Sequence, residues 1–296
     1  MKQQLSKKKF LLLAIAASIL SVFFAFFSAP LLRVLRNTYG RWLYWGFGIL
    51  AIVLGFSLQP VISAYTIAAL WFTVGIYSEF EERGYAGFGA GVLSVALGSL
   101  LQLVTPYYAE FRLSMMEKLT STVGTQTASG LGFEISKEMI LSLLPSGIIV
   151  ANIFSLVFAL VFDKRIAQMT GLKFENIASR LRLLEFKLPD FAIWIFLLSF
   201  LFSFLEVGQQ IITVVSLNTF IVMMALYFLQ GLAVAEFGML LWRLGFFWRL
   251  PFYLFVVGQL FVIVGAVGVI DYWVDFRGRM RRWRFSEKNP RNGERI

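Results

Sequence analysis

The chain has 296 residues, of which 58% are hydrophobic and only 15% are charged, and its mean hydropathy is +0.75. A soluble protein of this length could not bury so much apolar surface, so the composition predicts that lipid covers part of it. The net charge of +10 is concentrated at the chain ends, which is typical of membrane topology and of contact with anionic lipid rather than nucleic acid.

The chain lacks two residue types that many metal and catalytic sites require. The chain has no Cys and no His, which excludes Cys/His zinc sites, haem ligation by His and every catalytic triad that needs an imidazole. The sequence also contains no phosphate-binding loop, dinucleotide fingerprint or metal motif. We therefore expect no cofactor, no metal and no enzymatic activity. The alternative is an intramembrane enzyme, for which only carboxylates and lysines remain as acid, base or nucleophile.

Four apolar segments of the N-terminal part are predicted to cross the membrane. The first follows a cationic start and is interpreted as a retained span, because Pro30 makes the site before it a poor one for signal cleavage. Pro30 is expected to end that helix. The four spans are Phe10–Ala29, Leu43–Ser57, Pro60–Tyr77 and Ala86–Val104. Charged residues follow two of them: Arg33, Arg36 and Arg41 after the first, and Glu79, Glu81 and Glu82 after the third.

The fourth span carries small residues at helical spacing. Gly87, Gly91, Ser94 and Gly98 are separated by intervals of four, three and four, which places them on one face of a helix. Small residues let a second helix approach closely in lipid, so we predict that this face packs against another helix. A face directed at a substrate is the alternative.

The C-terminal part is predicted to contain four more spans. Residues 105–138 are too polar to cross a membrane and are interpreted as an amphipathic insert with a flexible link. Residues 278–296 are predicted to form a cationic cytoplasmic tail. The spans are Met139–Phe162, Phe191–Leu205, Asn218–Arg243 and Phe252–Arg277, and the charged connection Asp163–Asp190 separates the first two.

These segments predict an all-α fold, a single transmembrane domain of about eight spans over residues 1–296. An even number of spans places both termini on one side of the membrane. The basic clusters beside the first and last spans predict that this side is cytoplasmic, although the connection Asp163–Asp190, with six Lys or Arg residues, would then lie outside. The expected location is the bacterial cytoplasmic (inner) membrane.

Polar residues inside the spans are the candidates for a ligand site. Asn218 and Glu236 are 18 residues apart, which is five full turns, so they share one stripe of the seventh span. An ionisable group inside a span is by default a functional hypothesis. Together with Asn152 and Gln230, these residues are the predicted ligand-binding set. The alternative for Glu236 is an acid at the interface, paired with a cation.

Acidic and basic residues also share one face at the end of the eighth span. Gly268, Asp271, Asp275 and Arg279 follow one another at intervals of three, four and four. Asp275 and Arg279 are expected to form a helical ion pair, and the acids to act as a C-terminal staple. The alternative is a coupling site in which Asp271 meets Glu236. The arginine-rich tail that follows is predicted to bind anionic lipid head groups.

Residues 218–277 resemble the C-terminal part of the YybS-like family of predicted bacterial membrane proteins. In that family a helix that opens with Asn and carries Gln-Gly-Leu-Ala precedes a helix ending in Gly-x-x-Asp-x-x-x-Asp-x-Arg. The family's helix pattern is distantly similar to the S components of energy-coupling-factor transporters, which implies binding of a small molecule. The matching residues are Asn218, Gln230, Gly231, Leu232, Ala233, Gly268, Asp271, Asp275 and Arg277.

Two classes of function follow from the sequence. The first is non-enzymatic binding or transport of a small molecule, with the site in the second half of the bundle. The second is a scaffold or assembly subunit of a bacterial envelope complex, in which the small-residue faces and the 105–138 insert dock partners. The expected partners are the lipid bilayer, anionic lipids at the tail, and a protein partner or a second copy of the chain; nucleic acid is not expected.

Overall fold

A computed structural model of the chain describes most of its apolar segments. The described residues are 7–23, 25–58, 61–85, 87–104, 109, 112–114, 117, 141–169, 171, 184, 186–205, 210–242, 245, 251–252, 255 and 260–288. Within these residues the regular structure is helical and no strand occurs. This confirms the predicted all-α class.

Contacts between Cα atoms divide the chain into two compact units, Met1–Leu181 (unit 1) and Arg182–Ile296 (unit 2). The helices of unit 1 are α1 Lys7–Phe23, α2 Ala25–Tyr39, α3 Arg41–Leu58, α4 Val61–Glu82, α5 Phe88–Val104 and α6 Leu144–Met169. The helices of unit 2 are α7 Phe191–Phe204, α8 Gln210–Leu241, α9 Phe261–Val274 and α10 Phe276–Lys288.

Among the described residues, two helices, α6 and α8, are long and apolar enough to cross a membrane, as judged by length and composition. Shorter apolar stretches occur in α1, α3, α5, α7 and α9. The predicted number of about eight spans therefore stays a prediction. Most of the predicted 105–138 insert lies outside the described residues. The described residues of this insert are Ala109, residues 112–114 and Glu117, and they are helical.

The predicted first span is divided between two helices, α1 and α2, which pack against each other. Pro30 does not end a helix as expected, because it lies inside α2. A proline lacks the amide hydrogen that would bond to the carbonyl four residues earlier. Pro30 is the sixth residue of α2, so the carbonyl that lacks this bond lies in the first turn, and the helix continues beyond the proline to Tyr39. Helix α2 consequently carries Arg33 and Arg36 into the interior.

Helix α2 is central to unit 1, where it contacts α1, α3, α4 and α6. Leu32 and Leu35 on α2 belong to the same buried cluster as Trp71 on α4. Helices α3 and α4 are joined by a reciprocal pair of hydrogen bonds. The Tyr44 hydroxyl donates to the Trp71 carbonyl at 2.7 Å, and the Trp71 indole Nε1 donates to the Tyr44 carbonyl at 3.1 Å.

Several helix ends differ from the predicted ends of the spans. Helix α6 continues through Asp163 to Met169, so Asp163 is a buried helical residue and not the first residue of a connection. Helix α8 begins at Gln210, eight residues before the predicted start. The predicted eighth span is broken at Asp275, which separates α9 from α10.

Helices α8 and α9 approach each other closely at two glycines. A Cβ atom at Gly231 would collide with the Val264 carbonyl, and one at Gly268 would collide with the Tyr227 carbonyl. Close backbone contact of this kind is the usual way in which helices associate in lipid. It also brings Gln230 within reach of the backbone of α9.

The small residues of α5 lie in different surroundings. Ser94 and Gly98 are buried, and a Cβ atom at Gly98 would collide with the Thr73 hydroxyl of α4. At Gly91 the same atom would be in ordinary contact with Leu156 of α6, and at Gly87 it would meet nothing within 4 Å. The tight end of the predicted face is therefore the Gly98 end.

Gly98→Ala should destabilise the protein, because the added methyl must displace Thr73 or separate α4 from α5. Overpacking of this kind costs about 1–3 kcal/mol. Gly89→Ala, on the same helix, is the matched control: its Cβ would meet nothing within 4 Å, and alanine in a helix is favoured over glycine by about 1 kcal/mol. Unfolding of purified protein in SDS titrations compares them, and equal stability of the two variants would contradict the packing.

Candidate functional site

Arg33 of α2 forms the centre of a buried ion cluster in unit 1. Its Nε donates to Asp163 Oδ2 of α6 at 2.7 Å, and its Nη2 donates to Glu81 Oε1 and Oε2 of α4 at 3.0 and 2.8 Å. The three side chains leave at most 2% of their surface exposed. We call Arg33, Glu81 and Asp163 the inner triad, and it joins three helices.

Arg36, one turn further along α2, continues the cluster toward the surface. Its Nη1 and Nη2 donate to both carboxylate oxygens of Glu82, and its Nη2 also donates to Glu79 Oε1 at 2.8 Å. The Trp45 indole of α3 donates to the same Glu79 oxygen at 3.2 Å. The Glu79 and Glu82 side chains are 21% and 37% exposed, so this end reaches solvent or head groups.

The six charged residues form a single group, which we call the arginine network and whose charges do not balance. Its members are Arg33, Arg36, Glu79, Glu81, Glu82 and Asp163. Each guanidinium is bonded to two carboxylates, which gives two positive and four negative groups when all are ionised. At the exposed end, water can compensate the excess. The inner triad has no such access, and it carries one negative charge too many in an environment where uncompensated charge costs several kcal/mol.

The surroundings raise the pKa of Glu81 in the inner triad and the pKa of Arg36 nearer the surface, for different reasons. Burial raises the pKa of Glu81 above its usual value; Arg33 opposes this rise, whereas Asp163 and Glu82 add to it by repulsion. Burial by itself would lower the pKa of Arg36, but its hydrogen bonds and attraction to Glu82 and Glu79 outweigh this, and the net pKa is raised. Proton binding is thus favoured at the inner carboxylate, whereas Arg36 stays charged.

Three buried nitrogen donors of α2 have no hydrogen-bond partner within the described residues. They are Arg33 Nη1, Arg36 Nε and Asn37 Nδ2. Buried donors require acceptor atoms, supplied by protein, ordered water or a ligand. This part of α2 therefore offers donors beside the arginine network.

The sequence showed the charges of the network but not their pairing. Arg33 and Arg36 predict only a basic stretch after Pro30. Glu79, Glu81 and Glu82 predict only the end of a span. One signal was present: intervals of three residues, Arg33 to Arg36 and Glu79 to Glu82, place each pair on one side of a helix. Asp163 gave no such signal.

Among the predicted ligand-binding residues, Asn152 belongs to unit 1 and lies on α6. It is buried, and its amide nitrogen donates to Ser99 Oγ at 2.9 Å and to Gln102 Oε1 at 3.0 Å, both on α5. Its amide hydrogens therefore hold α5 and α6 together. The other three predicted residues, Asn218, Gln230 and Glu236, belong to unit 2.

Gln230 is the centre of a second buried polar cluster, the Gln230 cluster. Its Oε1 accepts a hydrogen bond from the Leu188 amide at 3.0 Å, and its Nε2 donates to the Gly268 carbonyl at 3.1 Å and to Asp271 Oδ2 at 3.3 Å. The same Asp271 oxygen accepts from Arg277 Nη2 at 2.8 Å. Gln230 thus joins α8 to α9 and to the segment before α7.

Asn218 and Glu236 are both half-buried on α8, and Asn218 Nδ2 donates to the Val214 carbonyl of its own helix at 2.8 Å. At the helical rise of 1.5 Å per residue, their 18-residue spacing corresponds to about 27 Å along the axis. A single small molecule cannot contact both. The stripe predicted from their spacing therefore cannot form one compact site.

The predicted staple of Asp271, Asp275 and Arg279 needs a continuous helix, and the structure does not have one. Helix α9 ends at Val274, and Asp275 adopts a left-handed conformation with φ of 47°. The Asp275 carboxylate instead accepts from the Gly278 amide at 3.2 Å and caps α10. Asp271 is held by Arg277 and by the Phe276 amide, at 2.9 Å.

Removing one carboxylate of the inner triad should be tolerated, whereas removing both should not. Glu81→Gln leaves Asp163 beside Arg33, and Asp163→Asn leaves Glu81, so each single variant should change the free energy of unfolding by less than about 1 kcal/mol. The double variant strands a buried guanidinium and should lose about 3–5 kcal/mol. SDS titrations of purified protein measure these changes.

The matched control is the double variant Glu81→Gln/Glu82→Gln. It also removes two carboxylates, but it leaves Asp163 for Arg33 and Glu79 for Arg36, so its stability should stay within about 1 kcal/mol of the wild type. If the two double variants lose equal stability, or if the inner double variant loses none, the charge count of the network is wrong.

Comparison with known proteins identifies the family. A family model described as "Predicted membrane protein (DUF2232)" matches residues 8–272, a range that contains the whole arginine network as well as Gln230 and Asp271. No curated protein and no solved structure gives a significant match. The match and the apolar helices agree on a membrane protein of unknown function. The chain therefore belongs to the DUF2232 family of predicted membrane proteins.

Proposed function

We propose that the protein is a non-enzymatic membrane protein that binds a small molecule for transport, and that the inner triad takes up a proton during this cycle. The observation that carries the proposal is the buried 2:1 ratio of carboxylates to guanidinium around Arg33. Such an ion cluster gives little net stability over a well-packed apolar core. Buried ionisable groups in membrane proteins commonly belong to proton relays or substrate pathways.

A proton is the ligand that fits the inner triad best. One proton on Glu81 leaves the negative charge of Asp163 beside Arg33 and removes the repulsion between the two carboxylates. Around this triad, the Arg33 guanidinium lies over the Tyr77 ring of α4 at 5.5 Å, Glu82 of α4 repels Glu81, and Arg36 follows Arg33 one turn along α2. The exposed Lys164 and Arg165 follow Asp163 on α6.

The donors beside the network support a ligand that carries acceptor atoms. Arg33 Nη1 and Asn37 Nδ2 are four residues apart and therefore lie on one face of α2. A carbonyl or hydroxyl oxygen of a small molecule would satisfy them. We therefore propose that the site lies in unit 1, whereas the sequence predicted it in the second half of the bundle. The distant similarity to S components, which bind small molecules, agrees with this proposal.

A scaffold or assembly subunit is the second candidate, and the contacts of Asn152 favour it. A scaffold needs only polar groups that are satisfied between packed helices, and the Asn152 amide hydrogens bond to Ser99 and Gln102 in this way. The tight packing at Gly98 serves the same purpose. Protonation at the inner triad is not required for this function.

Small molecules that remain bound to the purified protein distinguish the two functions. Protein purified in mild detergent is denatured, and released compounds are identified by mass spectrometry against an unrelated membrane protein. The proposal predicts one compound in near-stoichiometric amount. Its affinity for the wild type should rise as the pH falls, by up to about tenfold per pH unit, because one proton is taken up with the compound.

Glu81→Gln and Glu82→Gln form the matched pair for this experiment. Glu81→Gln should remove the pH dependence of binding, whereas Glu82→Gln, at the exposed end of the network, should keep it. Release of no compound, together with a stoichiometric protein partner after cross-linking, would contradict the proposal and favour the scaffold.

A further inference from the structure

Unit 2 contains a cavity of about 260 Å³ where α9 ends and α10 begins, which we call the α9–α10 cavity. Its volume is several times the ~30 Å³ that one water molecule occupies in the liquid. Three of the lining side chains are cationic and one is acidic. The lining residues are Lys187, Asp275, Arg277, Gly278 and Arg281.

The walls of this cavity are held in place by the Gln230 cluster. The Leu188 amide, next to Lys187, is bonded to Gln230 on α8, and Gln230 is also bonded to Asp271. Arg277 adds a second connection, because its Nη1 donates to the Leu184 and Phe186 carbonyls at 3.1 and 2.8 Å. The segment before α7 and the turn between α9 and α10 therefore face each other in a fixed arrangement.

The charge inside the cavity is unevenly compensated. Arg277 is neutralised by Asp271 behind it, and Asp275 caps the start of α10 through the Gly278 amide. Lys187 and Arg281 are exposed, and within the described part of unit 2 neither takes part in an ion pair. The Arg281 guanidinium lies over the Phe237 ring at 5.3 Å, which fixes its position without neutralising it.

We propose that the α9–α10 cavity binds a phosphate group between Lys187 and Arg281. The charged lining disfavours an apolar ligand, and the excess of positive charge disfavours a cation. A phosphate oxygen accepts well from an ammonium or a guanidinium, and these charge-assisted hydrogen bonds are about twice as strong as neutral ones.

The phosphate can belong to an anionic lipid head group or to a soluble compound. Helix α10 follows the apolar helix α9 and begins with four arginines among its first seven residues, Phe276–Arg282. Clusters of this kind beside an apolar helix attract anionic lipid. This site lies in unit 2 and does not depend on the function proposed for the arginine network.

Binding is tested with delipidated protein in detergent, by native mass spectrometry, using phosphatidylglycerol, phosphatidylcholine and inorganic phosphate as probes. The double variant Lys187→Gln/Arg281→Gln removes two exposed cations of the cavity. The control Arg279→Gln/Arg282→Gln removes two exposed cations of α10 that do not line it. The cavity variant should lose at least about tenfold in phosphatidylglycerol affinity and the control less than about threefold.

The probes also separate the two sources of phosphate. Phosphatidylglycerol binding that exceeds phosphatidylcholine binding and depends on Lys187 and Arg281 assigns the cavity to a lipid head group. Dependence of inorganic phosphate binding on the same two residues, without lipid binding, assigns it to a soluble phosphate compound. Equal losses in the two double variants would show diffuse attraction by α10, and absence of binding by the wild type would show no site; either result overturns the proposal.

Discussion

The ion pairs of Arg33 are the constraint on which unit 1 depends. A guanidinium buried to this degree costs several kcal/mol unless its charge and its hydrogen-bond donors are compensated. One carboxylate would balance the charge of Arg33, but its hydrogen-bond donors reach two, so Glu81 of α4 and Asp163 of α6 are both held beside α2. The three helices must therefore keep a common register, which apolar packing alone does not impose. The excess carboxylate in this arrangement makes it suitable for proton binding as well as for packing.

Unit 2 uses a neutral side chain for the corresponding task. Gln230 has both donors and acceptors, so one side chain can satisfy the Leu188 amide, the Gly268 carbonyl and Asp271 together. The close approach at Gly231 and Gly268 makes these bonds short enough to form. The polar cluster thus depends on the close approach of the α8 and α9 backbones. Arg277 extends the cluster to the cavity at the start of α10.

The sequence predicted the all-α class and most helices, because apolar runs in lipid leave few alternatives. It failed where a residue's role depends on a distant partner. Asp163 pairs with Arg33, 130 residues away in the sequence. Without knowledge of this partner, an acid after an apolar run predicts the start of a connection. Pro30 was expected to end a helix, but it lies inside α2, which packs against α4 and α6, helices that lie far away in the sequence.

The candidate site was predicted less well than the fold for the same reason. Gln230 and Asp271 were selected from the sequence because polar residues in apolar helices need partners, and the structure brings them together. The i, i+4 rule that joined Asp275 to Arg279 assumed a continuous helix. Asp275 tolerates a left-handed conformation better than most residues, and this allows the break that the rule cannot anticipate.

The central claim, that the inner triad holds a proton, is tested most directly by infrared difference spectroscopy of the carboxyl carbonyl band. Spectra of purified protein recorded as a function of pH should contain one carboxylic acid that stays protonated above the usual pKa range of a glutamate side chain, and this band should persist in Glu82→Gln. Glu81→Gln and Asp163→Asn should each lack this band, because either variant leaves a balanced ion pair with Arg33. Absence of the band in the wild type, or its survival in both inner variants, would contradict the account.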